Sequence, residues 1–507
     1  MIFVPSEILG GSASEPERKP PEASQTMGVP PTLQPEPAPV AQVVPVAPPA
    51  AKPAEPLVVE ATQPLNVVTI HVPAPRPRCV LAAGLRLPQA RAGGAFKQEN
   101  AAHLGSVVAR EVLARSGIRG EWINEVIVGC VGPPQDQANV ARVLALRAGI
   151  PQSVPARTIG RNCASGMDAV TSACALIEAG RGDLFLCVGV EVMSQYPLTF
   201  GPQMTGLFER LSRARNIGQR LGALTTFRPS FLAPRVALME GLTDPFSGLI
   251  MGRTAELLAR DFEISREAAD CYACESHQRA ARARDSGRFA REIVSHLPLG
   301  AREGDTSLEH DDGIRDGQSM EGLAKLKPYF EKPDGIVTVG NSCGITDGAT
   351  ALIVTTPERA RQLGLQPLAD IRAWAWAGLD PSRMGLGPVY SSAIALEAAG
   401  VAVSDLDAIE INEAFAAQVL ACAAAFASDN FAREHLGRSS RLGEIDMQKL
   451  NRNGGAIALG HPVGASGARL LLTTAHELAA VDGELGLASL CIGGGQGGAV
   501  VLQRSAS

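Results

Sequence analysis

The sequence predicts an α/β protein of two like halves in tandem, interrupted by one inserted segment and preceded by a non-globular extension. Three observations predict it. A helix–glycine–strand unit recurs at a constant spacing of 283 residues, and a second helix–strand unit recurs at 301. Of the 36 prolines, 18 fall in residues 1–78, which separates that stretch from a chain of otherwise globular composition.

The gross numbers bound the reading first. The chain has 507 residues, 45% of them apolar and 19% charged, enough for two or more domains around a large core. A net charge of −6 predicts no bulk attraction to nucleic acid or anionic lipid. No uninterrupted apolar run reaches membrane-spanning length, and the first residues lack the basic-then-apolar pattern of a secretory signal. Ten cysteines without framework-like spacing fit free thiols in a reducing, cytoplasmic compartment. Cys271 and Cys274 form a lone C-x-x-C inside a helical pattern, with no second pair to complete a metal site.

Residues 1–78 come first. Ala38 to Pro56 is Pro, Ala and Val apart from Gln42, Lys52 and Glu55. Proline removes backbone donors and favours extended polyproline II, so this segment reads as a disordered tail or semi-rigid linker. A tether to a partner and an inert extension are both compatible with it.

The first half spans 79–195 plus 335–354, and the second spans 355–507. Leu113 to Gly117-Ile118, then Ile123 to Val128, matches Leu396 to Gly400-Val401, then Leu406 to Ile411. Each copy predicts helix, glycine stop, loop and strand. Ser165-Gly166 opens a helix ending at Gly180, followed by a strand from Leu184 to Val188. Ser466-Gly467 opens its counterpart, followed by a strand from Leu485 to Leu490. Duplication explains both constant offsets.

The insertion spans 196–334. It carries one long helical pattern, Ser265 to Ala290, with Ser265 as N-cap and Glu267 in the first turn. Within it, Met204 to Ile250 interleaves Leu and Phe with Arg210, Arg213, Arg215 and Arg220. This predicts an amphipathic cover. It fits first a helix packed on its own domain, and secondly an acyl-chain pocket, a partner surface or a membrane-surface contact.

Candidate chemistry lies in four turns. Cys163, in Asn162-Cys-Ala-Ser-Gly166, stands where a helix begins. Helix-terminal N–H groups stabilise a thiolate and are expected to lower its pKa. The segment alone reads as a nucleophile or as a buried structural cysteine; Cys174 and Cys187 behind it read as core. His461 lies between Gly460 and Pro462 in a tight turn. A neutral imidazole there could take the Cys163 proton or merely satisfy the turn. His476, within a helical pattern, reads as a surface residue. Cys491 ends an apolar strand before Gly493-Gly494-Gly495, whose N–H groups can line a cavity; a core cysteine is the other reading. Asn412, in Asn412-Glu-Ala-Phe415, opens a helix, where it could fix a water or act as an ordinary N-cap.

Together these segments resemble the thiolases. The resemblance runs from Cys79 to the C-terminus. It rests on Asn162 to Gly166, Gly189 to Ser194, Met251 to Glu256, Gly340 to Ala349, Asn412 to Phe415, Asn453 to Gly464, and Cys491 to Gly495. It implies a thiolase-like α/β fold, with duplicated βαβ halves in a five-layered αβαβα arrangement and an inserted loop domain. It implies that Cys163 is the acylated nucleophile, Cys491 the acid/base, and His461 the group that activates Cys163. His461 and an Asn412-held water would bind the enolate oxygen, and the N–H groups of Cys163 and Gly493 would form a second oxyanion hole. Cys343, Gly340 and Arg315 would lie along bound CoA. Phe231 to Pro234, Asp312 to Arg315, Leu323 to Pro328 and Phe431 to Glu434 look like the thiolase subunits of fatty-acid oxidation complexes. Two positions depart. Some such subunits carry His where this chain has Asn412, and many thiolases place Ser where it has Cys343.

The implied activity is acyl transfer between 3-ketoacyl-CoA and CoA in fatty-acid β-oxidation, with acetoacetyl-CoA synthesis as the alternative. No metal or redox cofactor is required, and CoA is co-substrate. A homodimer or homotetramer is expected, with a hydratase/dehydrogenase subunit as a further partner. Ketoacyl synthases share the architecture but lack the Cys491 thiol. A non-catalytic lipid-binding subunit would have no use for Cys163, His461 and Cys491 together.

Overall fold

The computed structural model describes residues 79–505. The extension over residues 1–78, with its tether and inert readings, lies outside them. The first half contributes β1 (Cys79–Arg86), α1 (Ala101–Ser116), β2 (Glu125–Gly129), α2 (Ser165–Glu178) and β3 (Leu184–Val192). The insertion contributes α3 (Arg266–Asp285), after which the chain returns as β4 (Thr346–Thr355). The second half contributes β5 (Ala369–Gly378), α4 (Gly387–Ala399), β6 (Ala408–Ile411), α5 (Ala416–Phe426), α6 (Val463–Ala480), β7 (Leu485–Ile492) and β8 (Gln496–Arg504).

The two halves repeat one another in detail. In the first, the strand order outward from the centre is β1-β4-β3-β2, with one further edge strand, Ala156–Ile159, parallel to β2; in the second it is β5-β8-β7-β6. In each, the first two pairings are antiparallel and the third is parallel. Antiparallel pairing of β1 with β5, from Cys79 opposite Ile371 to Leu81 opposite Ala369, joins them into one sheet. The glycine stops also match. Gly117 ends α1 at φ 68° and Gly400 ends α4 at φ 65°, both in the left-handed region where glycine carries no Cβ penalty.

Side chains alternate across the sheet, and the alternation defines the layers. On β3, Leu184, Leu186 and Val188 join α1 residues Leu104 and Val108 in an outer core. Phe185 and Cys187 point the other way, to Met167 and Val170 of α2 and Leu471 of α6. On β8, Val500 and Leu502 face that shared middle layer, while Val501 faces α4 residues Val389 and Leu396. The result is five layers, αβαβα, with α2 and α6 in the centre. Those two helices cross closely on small residues: a Cβ at Gly166 would lie 2.7 Å from the Gly464 carbonyl oxygen. The crossing places the turns before the two helices side by side, and these carry Cys163 and His461.

Helix bounds shift from expectation for local reasons. α6 begins at Val463 rather than Ser466, because Pro462 supplies its N-cap position. α3 is capped by Ser265, whose hydroxyl accepts the Ala268 N–H at 3.1 Å, but it ends at Asp285 rather than Ala290. Gly287, at φ 74°, breaks it, and a short turn over Phe289–Arg291 follows.

Met204 to Ile250 forms the short helices Pro202–Arg213 and Ile217–Leu224 beside a small hairpin, Leu198–Phe200 with Pro234–Val236. Among the described residues their own buried core is Met204, Leu207 and Ala223, with Leu211 and Phe231 partly buried against it, and Phe208, Leu221, Leu224 and Leu232 remain exposed. The rest of the insertion is fastened by charge. Arg86 at the end of β1 is fully buried between Glu292 at 2.9 Å and Asp311 at 2.7 Å. Against the cost of burial, Arg86 draws the Glu292 carboxyl below its ordinary range. Among the described residues, no helix is long and apolar enough to cross a membrane.

Candidate active site

Cys163 sits in a tight turn before α2. Asn162 takes the left-handed conformation, φ 43°, and the Ser165 hydroxyl accepts the Arg161 N–H and donates to the Asn162 carbonyl, both at 2.8 Å. The Asn162 amide also donates to the Gly493 carbonyl at 2.9 Å, tying this turn to the one that follows Cys491. Gly494 and Gly495, at φ 88° and 77°, give that second turn its left-handed path.

The thiol of Cys163 is half-buried, and its pKa is raised rather than lowered. Desolvation is the larger effect, and the backbone N–H groups of Gly493 and Cys163 itself only oppose it. This corrects the expected preformed thiolate: the helix terminus does not overcome burial, so a base must remove the proton.

His461 has the properties of such a base. It is buried, and its Nδ1 lies 2.6 Å from the Ser466 hydroxyl, which itself donates to the Pro462 carbonyl at 3.0 Å. Nδ1 therefore carries the hydrogen, and Nε2, which has no partner among the described residues, keeps its lone pair. Burial, with a smaller push from Arg469, lowers the His461 pKa to about 4, so the ring is neutral at physiological pH. Below pH 6.5 the unfolded chain takes up a proton that folded His461 refuses until about pH 4. Stability therefore falls as pH falls through that window. In urea unfolding at pH 7 and pH 5, the wild type should lose more stability on acidification than His461→Asn. Equal losses would contradict a buried neutral ring.

Asn412 follows the end of β6 with its side chain buried, and among the described residues both its amide oxygen and its amide nitrogen lack a partner. It is not a helix cap. The helix begins at Ala416 with Phe415 in the cap position, and the Asn412 backbone N–H goes to the Ser489 carbonyl at 2.9 Å. A buried amide with both ends unpaired marks space for a water or ligand, since such groups are costly to leave unmade.

Cys491 is 1% exposed near the end of β7, among Ala255, Val337, Met384, Ala414 and Phe415. Burial first, then the nearby thiols of Cys163, Cys422 and Cys343, push its pKa well above the ordinary thiol value. It is a protonated thiol in an apolar wall. The same electrostatic coupling links Cys343 to Cys163, and burial pushes Cys343 up to about 12.

Of the residues expected along CoA, Gly340 and Arg315 line one narrow cavity of about 40 Å³ with His277, Gly344 and Gly460. The Arg315 N–H donates to His277 Nδ1 at 3.2 Å. A Cβ at Gly340 would fall 2.4 Å from Leu326 and 2.5 Å from Leu323, so glycine there lets the insertion close on this wall. Cys343 sits beside Gly344, its N–H bonded to the Ala414 carbonyl at 3.0 Å.

Two buried carboxylates beneath the site escaped the sequence reading. Glu413 accepts from Tyr272 at 3.0 Å and Ser276 at 2.7 Å on α3, from Asn451 at 3.0 Å, and from the Ile457 N–H at 3.1 Å. It thereby pins the insertion helix, the Asn412 loop and the His461 loop together. Glu191 accepts the N–H groups of Val131, Gly132 and Gly464 at 2.9–3.0 Å, joining the end of β3 to the start of α6. Their signal was present as Glu inside the Gly189 to Ser194 and Asn412 to Phe415 motifs, but their partners are distant in sequence. Outside the site, Cys174 and Cys187 are core, as expected. His476 is half-buried on α6 rather than a surface residue, because the helix lies in the middle layer. Cys271 is exposed and Cys274 buried, on the same helix.

Comparison with known proteins agrees with this geometry. The family profile described as "Thiolase, N-terminal domain" matches residues 79–358, and "Thiolase, C-terminal domain" matches 365–504. The 3-ketoacyl-CoA thiolase of Aeromonas salmonicida is 38% identical over 428 residues, 84% of this chain and 97% of the relative. The acetyl-CoA acetyltransferase of Bacillus anthracis superposes with TM-score 0.74 at 35% identity, covering 85% of this chain and 99% of the other. Human mitochondrial 3-ketoacyl-CoA thiolase in complex with CoA superposes with TM-score 0.71 at 36% identity, covering 85% and 98%. With both profiles matched across the repeated halves and identity sustained over nearly the full length of these relatives, the chain belongs to the thiolase family.

Proposed function

We propose that this chain cleaves 3-ketoacyl-CoA thiolytically, releasing acetyl-CoA and a shortened acyl-CoA, as part of fatty-acid β-oxidation. One observation carries the reading. The half-buried thiol of Cys163 and the buried thiol of Cys491 accompany a neutral imidazole whose Nε2, and an amide both of whose ends, are unpartnered among the described residues. His461 Nε2 takes the Cys163 proton, and the thiolate attacks the 3-keto carbonyl. The N–H groups of Cys163 and Gly493 stabilise the oxyanion. The C2–C3 bond breaks and its electron pair forms the acetyl-CoA enolate. The newly protonated Nε2 and an Asn412-held water donate to the enolate oxygen, and Cys491 delivers its proton to C2. CoA then enters, gives its thiol proton to the Cys491 thiolate and takes the acyl group. The departing Cys163 recovers its proton from His461. Atoms and charge balance with CoA as co-substrate, and no step calls on a metal or redox cofactor. Cys343, Gly340 and Arg315 are proposed along the CoA arm, because Gly340 and Arg315 share a cavity wall and Cys343 is coupled to Cys163.

Incubation with 3-ketoacyl-CoA of several chain lengths and CoA should yield acetyl-CoA and the shortened acyl-CoA in equal amounts over many turnovers, whereas without CoA release of acetyl-CoA should stop at one per enzyme. Absence of both products would overturn the reading. The resemblance to an acetyl-CoA acetyltransferase favours a second reading, condensation of two acetyl-CoA into acetoacetyl-CoA by the same residues in reverse. Activity confined to that direction would select it. We further propose a cytoplasmic homodimer or homotetramer, with a hydratase/dehydrogenase subunit as partner; the motif pattern from Phe231 to Glu434 supports that assignment.

A further inference from the structure

A second cluster of metal-ligating side chains lies outside the residues used above. Glu99 immediately precedes the Asn100 cap of α1, His103 lies in the first turn of that helix, and His296 comes from the insertion, where it bridges to Leu308. His103 Nδ1 lies 2.6 Å from Glu99 Oε2, and His296 Nε2 lies 2.9 Å from Glu99 Oε1. The ligand atoms of all three residues lie within 4.8 Å of one another. Glu99 is 1% exposed. Among the described residues its ion-pair partners are these two imidazoles, with no Arg or Lys, and the Leu299 N–H adds one hydrogen bond at 2.8 Å. A buried carboxylate faced by two imidazoles and one N–H lacks a fixed cationic partner, and buried charges need a counter-charge.

We propose that Glu99, His103 and His296 form a structural site for a divalent transition metal of the zinc class, which staples the insertion to α1. Two imidazole nitrogens and one carboxylate oxygen suit Zn²⁺, Co²⁺ or Ni²⁺ better than Mg²⁺ or Ca²⁺, which prefer all-oxygen shells. Bonds of about 2.0–2.1 Å to a tetrahedral ion place neighbouring ligand atoms roughly 3.3 Å apart. The contacts of 2.6 and 2.9 Å must therefore open by several tenths of an ångström on binding. The His103 side chain, 25% exposed, has room to swing, and water completes the fourth position. The site requires none of Cys163, His461 or Cys491, so it stabilises without taking part in acyl transfer.

Co²⁺ is the discriminating probe, because thiolate ligation would give intense near-ultraviolet charge-transfer bands and N/O ligation would not. The full chain, stripped with chelator, should take up one Co²⁺ per molecule with N/O-type spectra, and both Co²⁺ and Zn²⁺ should raise its thermal midpoint. His296→Ala should lose the bound ion and the thermal shift while keeping thiolytic turnover. Should that variant fail to fold, His103→Gln, at the more exposed ligand, answers the same question. No uptake by the wild type, uptake unchanged in the His variants, or thiolate-type spectra would each overturn the proposal and leave a proton-bridged His–Glu–His cluster.

Discussion

Cys163→Ala is expected to lower thiolytic turnover by roughly 10⁴–10⁶-fold, the scale of removing a covalent nucleophile from a catalytic unit. The wild type, given 3-ketoacyl-CoA without free CoA, should accumulate one acyl group on the Cys163 peptide, read by mass spectrometry. The alternative acceptors are specific. Cys343 and Cys491 are coupled to Cys163, but burial raises both thiols, to about 12 for Cys343, and Cys491 has an apolar lining. Cys163 alone of the three has the Gly493 N–H lowering its pKa against burial. Because its thiol is still raised overall, acylation should depend on His461. His461→Asn should slow acyl transfer to Cys163 without changing which cysteine is labelled. Label found on Cys343 or Cys491 in the wild type would sink the assignment.

What could be read from the sequence follows from how local each determinant is. Gly117 and Gly400 end their helices through their own backbone dihedrals, so the repeat was visible at a constant offset. Cys163, His461 and Cys491 announce themselves by their glycine-flanked turns. The direction of the Cys163 pKa was not legible, because desolvation by distant layers outweighs the local helix terminus. Asn412 looked like a cap, and only the start of α5 at Ala416 shows that its side chain is left unpaired. Glu413 was hidden for the same reason. Its partners Tyr272 and Asn451 lie 141 and 38 residues away, and nothing near Glu413 in sequence names them. The apolar residues of Met204 to Ile250 had the right spacing for a cover, yet two short helices can bury only a few of them against each other.

Cys491→Ala is expected to lower turnover by about 10²–10⁴-fold, the range for loss of a positioned acid/base, while leaving the acyl acceptor intact. The distinction rests on protonation. An acid must hold its proton until C2 becomes basic, and the thiol of Cys491, pushed far above its ordinary value by burial and by neighbouring sulfurs, does so at physiological pH. The variant should therefore still accept an acyl group at Cys163 from a reactive thioester, but should fail to exchange the α-protons of acetyl-CoA with deuterated water. Loss of one buried sulfur from the small cluster around Met384 and Phe415 costs about 1–2 kcal/mol, so a thermal melt should show the variant folded. Cys491→Ser separates size from acidity. It restores a group of similar shape, yet a hydroxyl is a far weaker acid than a thiol, so exchange should stay lost. Normal exchange in either variant would remove Cys491 from proton transfer and require another residue on this wall to carry the proton.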